Sequence, residues 1–331
     1  MYTVTLIPGD GIGPEITSVV VDVFEHMNVP ISWDLVEAGE KVIEKYGTPL
    51  PDYVIDSIRK NKVALKGPIT TPIGKGFRSV NVTLRERLNL YANLRPIKSL
   101  VGLNTKYNNV DLVVVRENTE GLYKGIEYKI DDTACAVRVI TKNASDKIAY
   151  FTFKYAKENK RKKVTAVHKA NILKITDGLF LESIRKVASQ YPEIEYEEKI
   201  VDNMSMQLVL NPEKYDVIVA PNLYGDILSD LAAGLIGGLG LAPAANIGED
   251  AAIFEAVHGS APDIANKGIA NPIALLSSSI MLLDYLKLNK LAKKLENAIS
   301  ATVKDIEVLT PDLGGKGNIE SMKNKIISFL S

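Results

Sequence analysis

Short β-branched runs at Thr3 to Ile7, Val63 to Leu65, Leu112 to Val115, Val164 to Val167 and Val217 to Ala220 alternate with longer segments of helical period, such as Glu15 to Met27 and Gly178 to Gln190. Runs this short and continuously apolar suit strands buried on both faces. Alternated with helices, they predict an α/β protein with a mainly parallel sheet. The chain has no fixed-period repeat, no low-complexity tract and no Ser/Gly/Pro linker to mark a clean domain cut, so a second domain would be discontinuous. Gly121 to Lys142 breaks the rhythm by mixing Tyr, Thr and Val with charges, which predicts a strand pair projecting from the body.

Composition narrows the function. The 331 residues are 46% apolar and 24% charged, which excludes a disordered or collagen-like chain and gives length for about two domains. Forty basic residues balance forty acidic ones, so no overall basic field exists to hold nucleic acid. One cysteine, Cys135, excludes an intramolecular disulfide framework and a Cys-rich metal site; it fits a reducing compartment, and a cytoplasmic address is expected. The first residues read as a strand and turn and lack a signal peptide's features. Leu231 to Gly248 and Ile273 to Leu283 are too short, glycine-broken or hydroxyl-rich to span a bilayer, so no membrane partner is expected.

Chemistry concentrates at element ends. Pro8-Gly9-Asp10-Gly11-Ile12-Gly13-Pro14-Glu15 follows a strand and opens a helix, and its glycines permit either a plain tight turn or close backbone approach to a ligand. It lacks the GxGxxG spacing, and no acidic residue follows a second strand, so a Rossmann fold is rejected. Arg85, Arg95 and Arg116 lie near element ends, and if they converge they can hold a small molecule carrying several carboxylates; singly, each reads as a salt-bridged surface residue. Lys169, in His168-Lys169-Ala170-Asn171 at a strand end, is a candidate proton acceptor or merely solvated. Asp226 and Asp230 share a helix face, where like charges repel unless a cation lies between them. Asp202, ending another predicted strand, can supply a third oxygen to a hard Mg²⁺ or Mn²⁺ site; the alternative makes Asp226 a helix N-cap. Phe254 to Ala265, with Asn271-Pro272, reads as a polar loop fit to hold a cofactor, although His258 alone suits a structural role equally.

Taken in order, PGDGIGPE at Pro8 to Glu15, the Arg85 and Arg95 segment, RENTEG at Arg116 to Gly121 with Tyr123, HKAN at His168 to Asn171, GDILSD at Gly225 to Asp230 and HGSAPDIA at His258 to Ala265 resemble the β-decarboxylating dehydrogenases over essentially the whole chain. These are the isocitrate, 3-isopropylmalate and homoisocitrate enzymes. The resemblance implies that family's two-domain α/β fold around a largely parallel sheet. Residues 1–97 and 237–331 would form a large cofactor-binding domain, and 98–236 a small dimerisation domain with a clasp-like arm at about 121–142. It also implies a homodimer, with assembly beyond the dimer left open, whose sites are completed across subunits by Lys169 and Asp202 from one chain and the rest from the other.

Carried over by residue, Arg85, Arg95 and Arg116 would clamp a 2-hydroxy tricarboxylate, with Tyr123, Lys169 and Asn171 beside it, and Asp202, Asp226 and Asp230 would hold Mg²⁺ or Mn²⁺. Lys169 would help remove the hydroxyl proton and Tyr123 would protonate C3. Ser79 and Asn81 match the Ser-x-Asn pair of isocitrate enzymes, and Asn81 would touch the cofactor too. Homoisocitrate, one methylene longer, is the alternative, followed by 3-isopropylmalate. NAD would contact Ile12 and the Ile69, Thr70, Thr71 segment, then Glu255, His258, Gly259, Ser260 and Ala261, and lastly Asn271. Asp263 and Ile264 stand where NADP enzymes carry Lys and Tyr, and a carboxylate there repels a 2′-phosphate, so NAD is expected. Some relatives are non-catalytic regulatory subunits that lose the tyrosine or metal-site residues, all of which are present here.

Overall fold

The structure, a computed structural model, describes residues 1–70 and 77–330. Twelve strands occur among them: β1 (Tyr2–Ile7), β2 (Ile31–Leu35), β3 (Val63–Lys66), β4 (Ala92–Lys98), β5 (Asp111–Glu117), β6 (Gly121–Ile130), β7 (Thr133–Val139), β8 (Lys163–His168), β9 (Glu195–Ile200), β10 (Val217–Ala220), β11 (Pro243–Ile247) and β12 (Ala252–Ala256). Ten of them form one sheet in the order β2-β1-β3-β12-β11-β4-β5-β10-β8-β9, and β6 pairs with β7 as a separate antiparallel hairpin. Both outer flanks of the sheet are parallel; only β12-β11, β11-β4 and β4-β5 in the middle are antiparallel. This is the expected α/β sheet, largely parallel and lacking the dinucleotide-binding order.

The five apolar runs all lie within strands, and the two helical segments match helices Gly13–His26 and Thr176–Ala188, which end before Met27 and before Ser189. Pro14 opens the first of these, and its Ile16, Val19, Val20, Val23 and Phe24 face the core. Sequence pattern did not reveal β2, β4, β11 or β12. In β4 the obstacle is Pro96, which cannot donate to a ladder. It is tolerated because β11 pairs only with Ala92, Asn93 and Leu94, leaving the neighbouring edge unpaired at the proline. Phe254 to Ala256, expected in a loop, ends β12, and Asp202, expected at a strand end, lies in the first turn of helix Val201–Leu210.

Strands from residues 1–98 and 243–256 occupy one side of the sheet, and those from 111–220 the other, meeting at the β4-β5 pair. A continuous apolar core runs through both sides, from Val4 and Phe24 to Phe180 and Val217. Among the described residues no helix is long and apolar enough to cross a membrane.

Candidate active site

Helix Asn222–Leu235 lies against β5 so closely that a Cβ on Gly225 would stand 2.7 Å from the Cβ and Cγ of Arg116. Only glycine allows that approach, and it brings Asp226 onto the arginine. Arg116 Nη1 donates to Asp226 Oδ1 at 2.5 Å, and Arg95 Nη2 donates to the same oxygen at 3.2 Å. The Tyr123 hydroxyl donates to the other oxygen, Oδ2, and the Arg116 guanidinium lies 4.9 Å above the Tyr123 ring. Arg95 Nη1 also donates to Ser229 Oγ at 2.6 Å and to Asp230 at 3.0 Å. Arg85 reaches Glu255 at 3.7 Å. The three arginines therefore converge, and all are buried.

Burial and mutual repulsion set the charge states. Desolvation, then Arg85 and Arg95, push Arg116 down to about 9, so it remains a cation at neutral pH. Desolvation opposes ionisation of Asp226, but Arg116 and Arg95 outweigh it and hold its carboxyl below the ordinary range. Asp230 moves up because burial outweighs Arg95. Tyr123 is raised by burial and by its bond to Asp226, so its hydroxyl keeps its proton. Asp226 and Asp230 thus present hard oxygen donors from one helix face, the donor chemistry that Mg²⁺ or Mn²⁺ takes. The N-cap alternative for Asp226 fails, because the helix begins four residues earlier.

Lys169 and Asp202 form a separate pair. Lys169 follows β8, and its Nζ lies 2.6 Å from Asp202 Oδ1, with the Asp202 side chain 69% exposed. The Lys169 backbone N–H is fixed by Asp177 Oδ2 at 2.5 Å, and Asp177 is in turn paired with Arg138. Asn171 is exposed just beyond. Among the described residues no group of three His, Cys, Asp or Glu side chains in the chain is placed to hold a metal. Asp202 therefore does not join its own chain's Asp226 and Asp230.

On the other side of the arginines, three loops meet. Gly9 and Gly11 adopt positive φ, and side chains there would collide with the carbonyls of Pro68 and Ser260. Ile12 N–H donates to Ser260 O at 2.9 Å, Thr70 Oγ1 and Ser260 Oγ are 2.8 Å apart, and Asp10 accepts from the N–H groups of Glu40 and Thr70. The glycines therefore bring backbone against backbone. Ile12, Ile69, Thr70, Ser260 and Ala261 are gathered around this junction, and Thr71 lies outside the described residues. Asn271 is engaged by Asp312 at 2.9 Å and by the N–H of Ile273. Asp263 and Gly259 are exposed, with Ile264 half-buried. His258 Nε2 and Asn81 Oδ1 are shielded from solvent and have no hydrogen-bond partner among the described residues, which suits a site made for a polar nucleotide. Burial pushes His258 down, toward its neutral form. Ser79 precedes helix Val80–Arg87, on which Asn81 and Arg85 stand four apart and so share a face.

Sequence reasoning missed Lys66, Asn93, Asn222, Ser229 and Asn246, which hold charged members of the cluster, and Asn118, which holds Asn246. One signal was present: Asn93 and Arg95 are two apart, so on a strand they share a face.

The chain belongs to the isocitrate/isopropylmalate dehydrogenase family, which it matches over residues 3–326. It is 52% identical, over 99% of its length and 87% of the relative's, to a Drosophila melanogaster protein named as the probable mitochondrial alpha chain of NAD isocitrate dehydrogenase. It is 54% identical, over 99% of its length and 92% of the relative's, to a Dictyostelium discoideum protein named as a mitochondrial regulatory chain of NAD isocitrate dehydrogenase. The crystal structure of isocitrate dehydrogenase from Methylococcus capsulatus superimposes with a TM-score of 0.97 at 53% identity, covering 100% of this chain and 99% of that one. The relatives' names overturn the expected cytoplasmic address, since they point to mitochondria. Cysteine count separates oxidising from reducing compartments and goes no further.

Proposed function

We propose that this chain carries out the NAD-dependent oxidative decarboxylation of isocitrate to 2-oxoglutarate and CO₂. The observation that carries the reading is the buried convergence of Arg95, Arg116 and Tyr123 on one carboxylate, Asp226, with Arg85 beside them. Three guanidinium groups in a desolvated cleft suit a substrate with three carboxylates. Names of relatives that share half of this sequence support the same substrate and coenzyme.

In this reading the arginines bind and orient the carboxylates, and Ser79 and Asn81 meet the polar arm that distinguishes isocitrate from isopropylmalate. Lys169 receives the hydroxyl proton, directly or through water, as C2 loses hydride to the nicotinamide. After CO₂ leaves, Tyr123 delivers its proton to C3, a task that suits a phenol kept protonated by burial and by Asp226. Asp226 and Asp230, with Asp202, would hold Mg²⁺ or Mn²⁺, which when bound supplies Lewis acidity to the C2 oxygen. Asp263 favours NAD by repelling a 2′-phosphate.

Lys169 and Asp202 pair apart from the arginine cluster, so the reading includes a homodimer in which they serve the partner's cleft. Support comes from exposed apolar side chains on the hairpin and beside the pair, among them Ile126, Ile130, Ile172, Ile175, Met206 and Leu210. The two-domain division, 1–97 with 237–331 against 98–236, belongs to the same proposal. A kinetic assay of the purified chain with isocitrate, homoisocitrate and isopropylmalate, each with NAD and NADP, tests it. Turnover with isocitrate and NAD, abolished by chelator and restored by Mg²⁺ or Mn²⁺, is expected. No turnover by the chain alone would instead favour a regulatory role, the one that the Dictyostelium relative's name gives it.

A further inference from the structure

A line of buried polar side chains crosses five neighbouring strands on one face of the sheet. Lys66 on β3 pairs with Glu255 on β12 at 2.6 Å. Asn246 on β11 donates from Nδ2 to Glu255 Oε1 at 2.7 Å, and Asn93 on β4 donates from Nδ2 to Asn246 Oδ1 at 2.9 Å. Arg95 donates from Nε to Asn93 Oδ1 at 2.6 Å, and Asn118, just past β5, adds a second donor to Asn246 Oδ1 at 2.9 Å. Strand register builds the line: Asn246 is directly opposite Asn93, Asn93 is opposite Arg116, and Glu255 is opposite Lys66. All are buried, and Asn93 is fully so.

The amides have a fixed sense. Each donates away from Arg95 and toward Glu255, so the bonds run from a guanidinium to a carboxylate and each amide dipole supports both charges. Reversing either amide would set N–H against N–H at Arg95 or O against O at Glu255. Arg95 Nε, the atom held by Asn93, is the one not turned toward Asp226, Asp230 and Ser229. A guanidinium is planar, so fixing Nε fixes the direction of both Nη groups.

We propose that Asn93 and Asn246 are positioning residues for the reaction: they transmit the orientation of Glu255, on the nucleotide side, to the Arg95 fork that grips substrate. This rests on the readings of Arg95 as a substrate clamp and of Glu255 as a nucleotide contact. Neither asparagine touches substrate, and a hydrogen bond to a charged buried group is strong enough to govern binding. Occupancy of the nucleotide side, sensed by Glu255, is then felt at the carboxylate clamp.

The test is a double-mutant cycle on the full chain, with Asn93→Ser, Arg95→Lys and the pair, reading KM for isocitrate, kcat and thermal midpoint. Arg95→Lys alone tests the clamp, and an unchanged KM would refute that reading. Asn93→Ser is expected to raise KM by about tenfold with a smaller change in kcat, and to add little once Arg95 is lysine, because a lysine has no fork to orient. Additive effects in the cycle, or an unchanged KM in Asn93→Ser while Arg95→Lys raises it, would overturn the relay and leave the clamp standing. Should Asn93→Ser not fold, Asn246→Ser replaces it in the same cycle with the same expected non-additivity. Calorimetry gives the second reading. The ratio of isocitrate affinities with and without NAD should fall toward one in the Asn246→Ser chain, and an unchanged ratio would remove the link to Glu255.

Discussion

The two acidic centres of this chain differ in nearly every physical respect. Asp226 is largely enclosed and satisfied on both oxygens by two arginines and a tyrosine, on a helix held to β5 by the bare Cα of Gly225. Asp202 is paired with Lys169 and is mostly exposed to solvent. The first centre is built by the core and must be in place whenever the chain is folded. The second costs the fold almost nothing to change, as expected of surface ion pairs. In the proposed dimer this lysine and aspartate, paired in the open beside exposed Ile172 and Ile175, are the half of a site that another subunit completes.

That contrast is sharpest in a pair of substitutions. Asp226→Asn should lower kcat by more than about a hundredfold, the loss that follows removal of even a supporting partner of a metal ligand. It should also destabilise the chain by up to about 3 kcal/mol, because two buried guanidiniums, of Arg95 and Arg116, lose the counter-charge they share. Asp202→Asn should reduce kcat comparably while leaving the chemical-denaturation midpoint where it was. Equal stability losses in the two variants would erase the distinction.

Gly225→Ala breaks the comparison from the packing side. Its methyl group would press on Arg116 Cβ and Cγ, so the helix must retreat by about 1 Å to restore ordinary carbon contact and carry Asp226 with it. Overpacking of this kind costs about 1–3 kcal/mol, and activity should fall with stability.

The smallest effect concerns Glu120, at the base of the β6-β7 hairpin, where both its oxygens accept from Thr141. Burial and the nearby Glu117 push it up to about 7, while Lys124 only partly compensates. Unfolded, it titrates near 4.5, so from pH 4.5 to 7 the folded chain holds the extra proton and stability falls as pH rises. Glu120→Gln should flatten that slope and be the more stable chain at pH 8 by about 2 kcal/mol. Parallel stability curves for the two chains between pH 5 and 8 would show that Glu120 does not titrate there.

Legibility followed the same division. Apolar runs buried on both faces, such as Val217–Ala220, identify themselves, and so do charged residues at strand ends and aspartates four apart on a helix. What was hidden lies in the middle of the sheet: β4, with Asn93, Arg95 and Pro96, reads as polar because its side chains face one another across strands. Asparagines and a lysine paired through strand register carry no local signature, since Asn93 and Asn246 are 153 residues apart and Lys66 is farther still from Glu255. Asp202 was legible as an acid but not as a helix residue, nor could its spacing say that its own chain would not use it.

Whether the two centres meet across subunits is decisive, and complementation reads this directly. Lys169→Met supplies a chain with an intact arginine-aspartate cluster, and Asp226→Asn a chain with an intact lysine pair; each should be inactive alone. Unfolded and refolded together in equal amounts, they should recover about a quarter of wild-type turnover, since half of the random dimers are mixed and each mixed dimer has one whole site. Turnover that stays at the level of the separate variants, with mixed dimers shown to be present, would contradict a shared site and return Lys169 and Asp202 to the surface of their own chain.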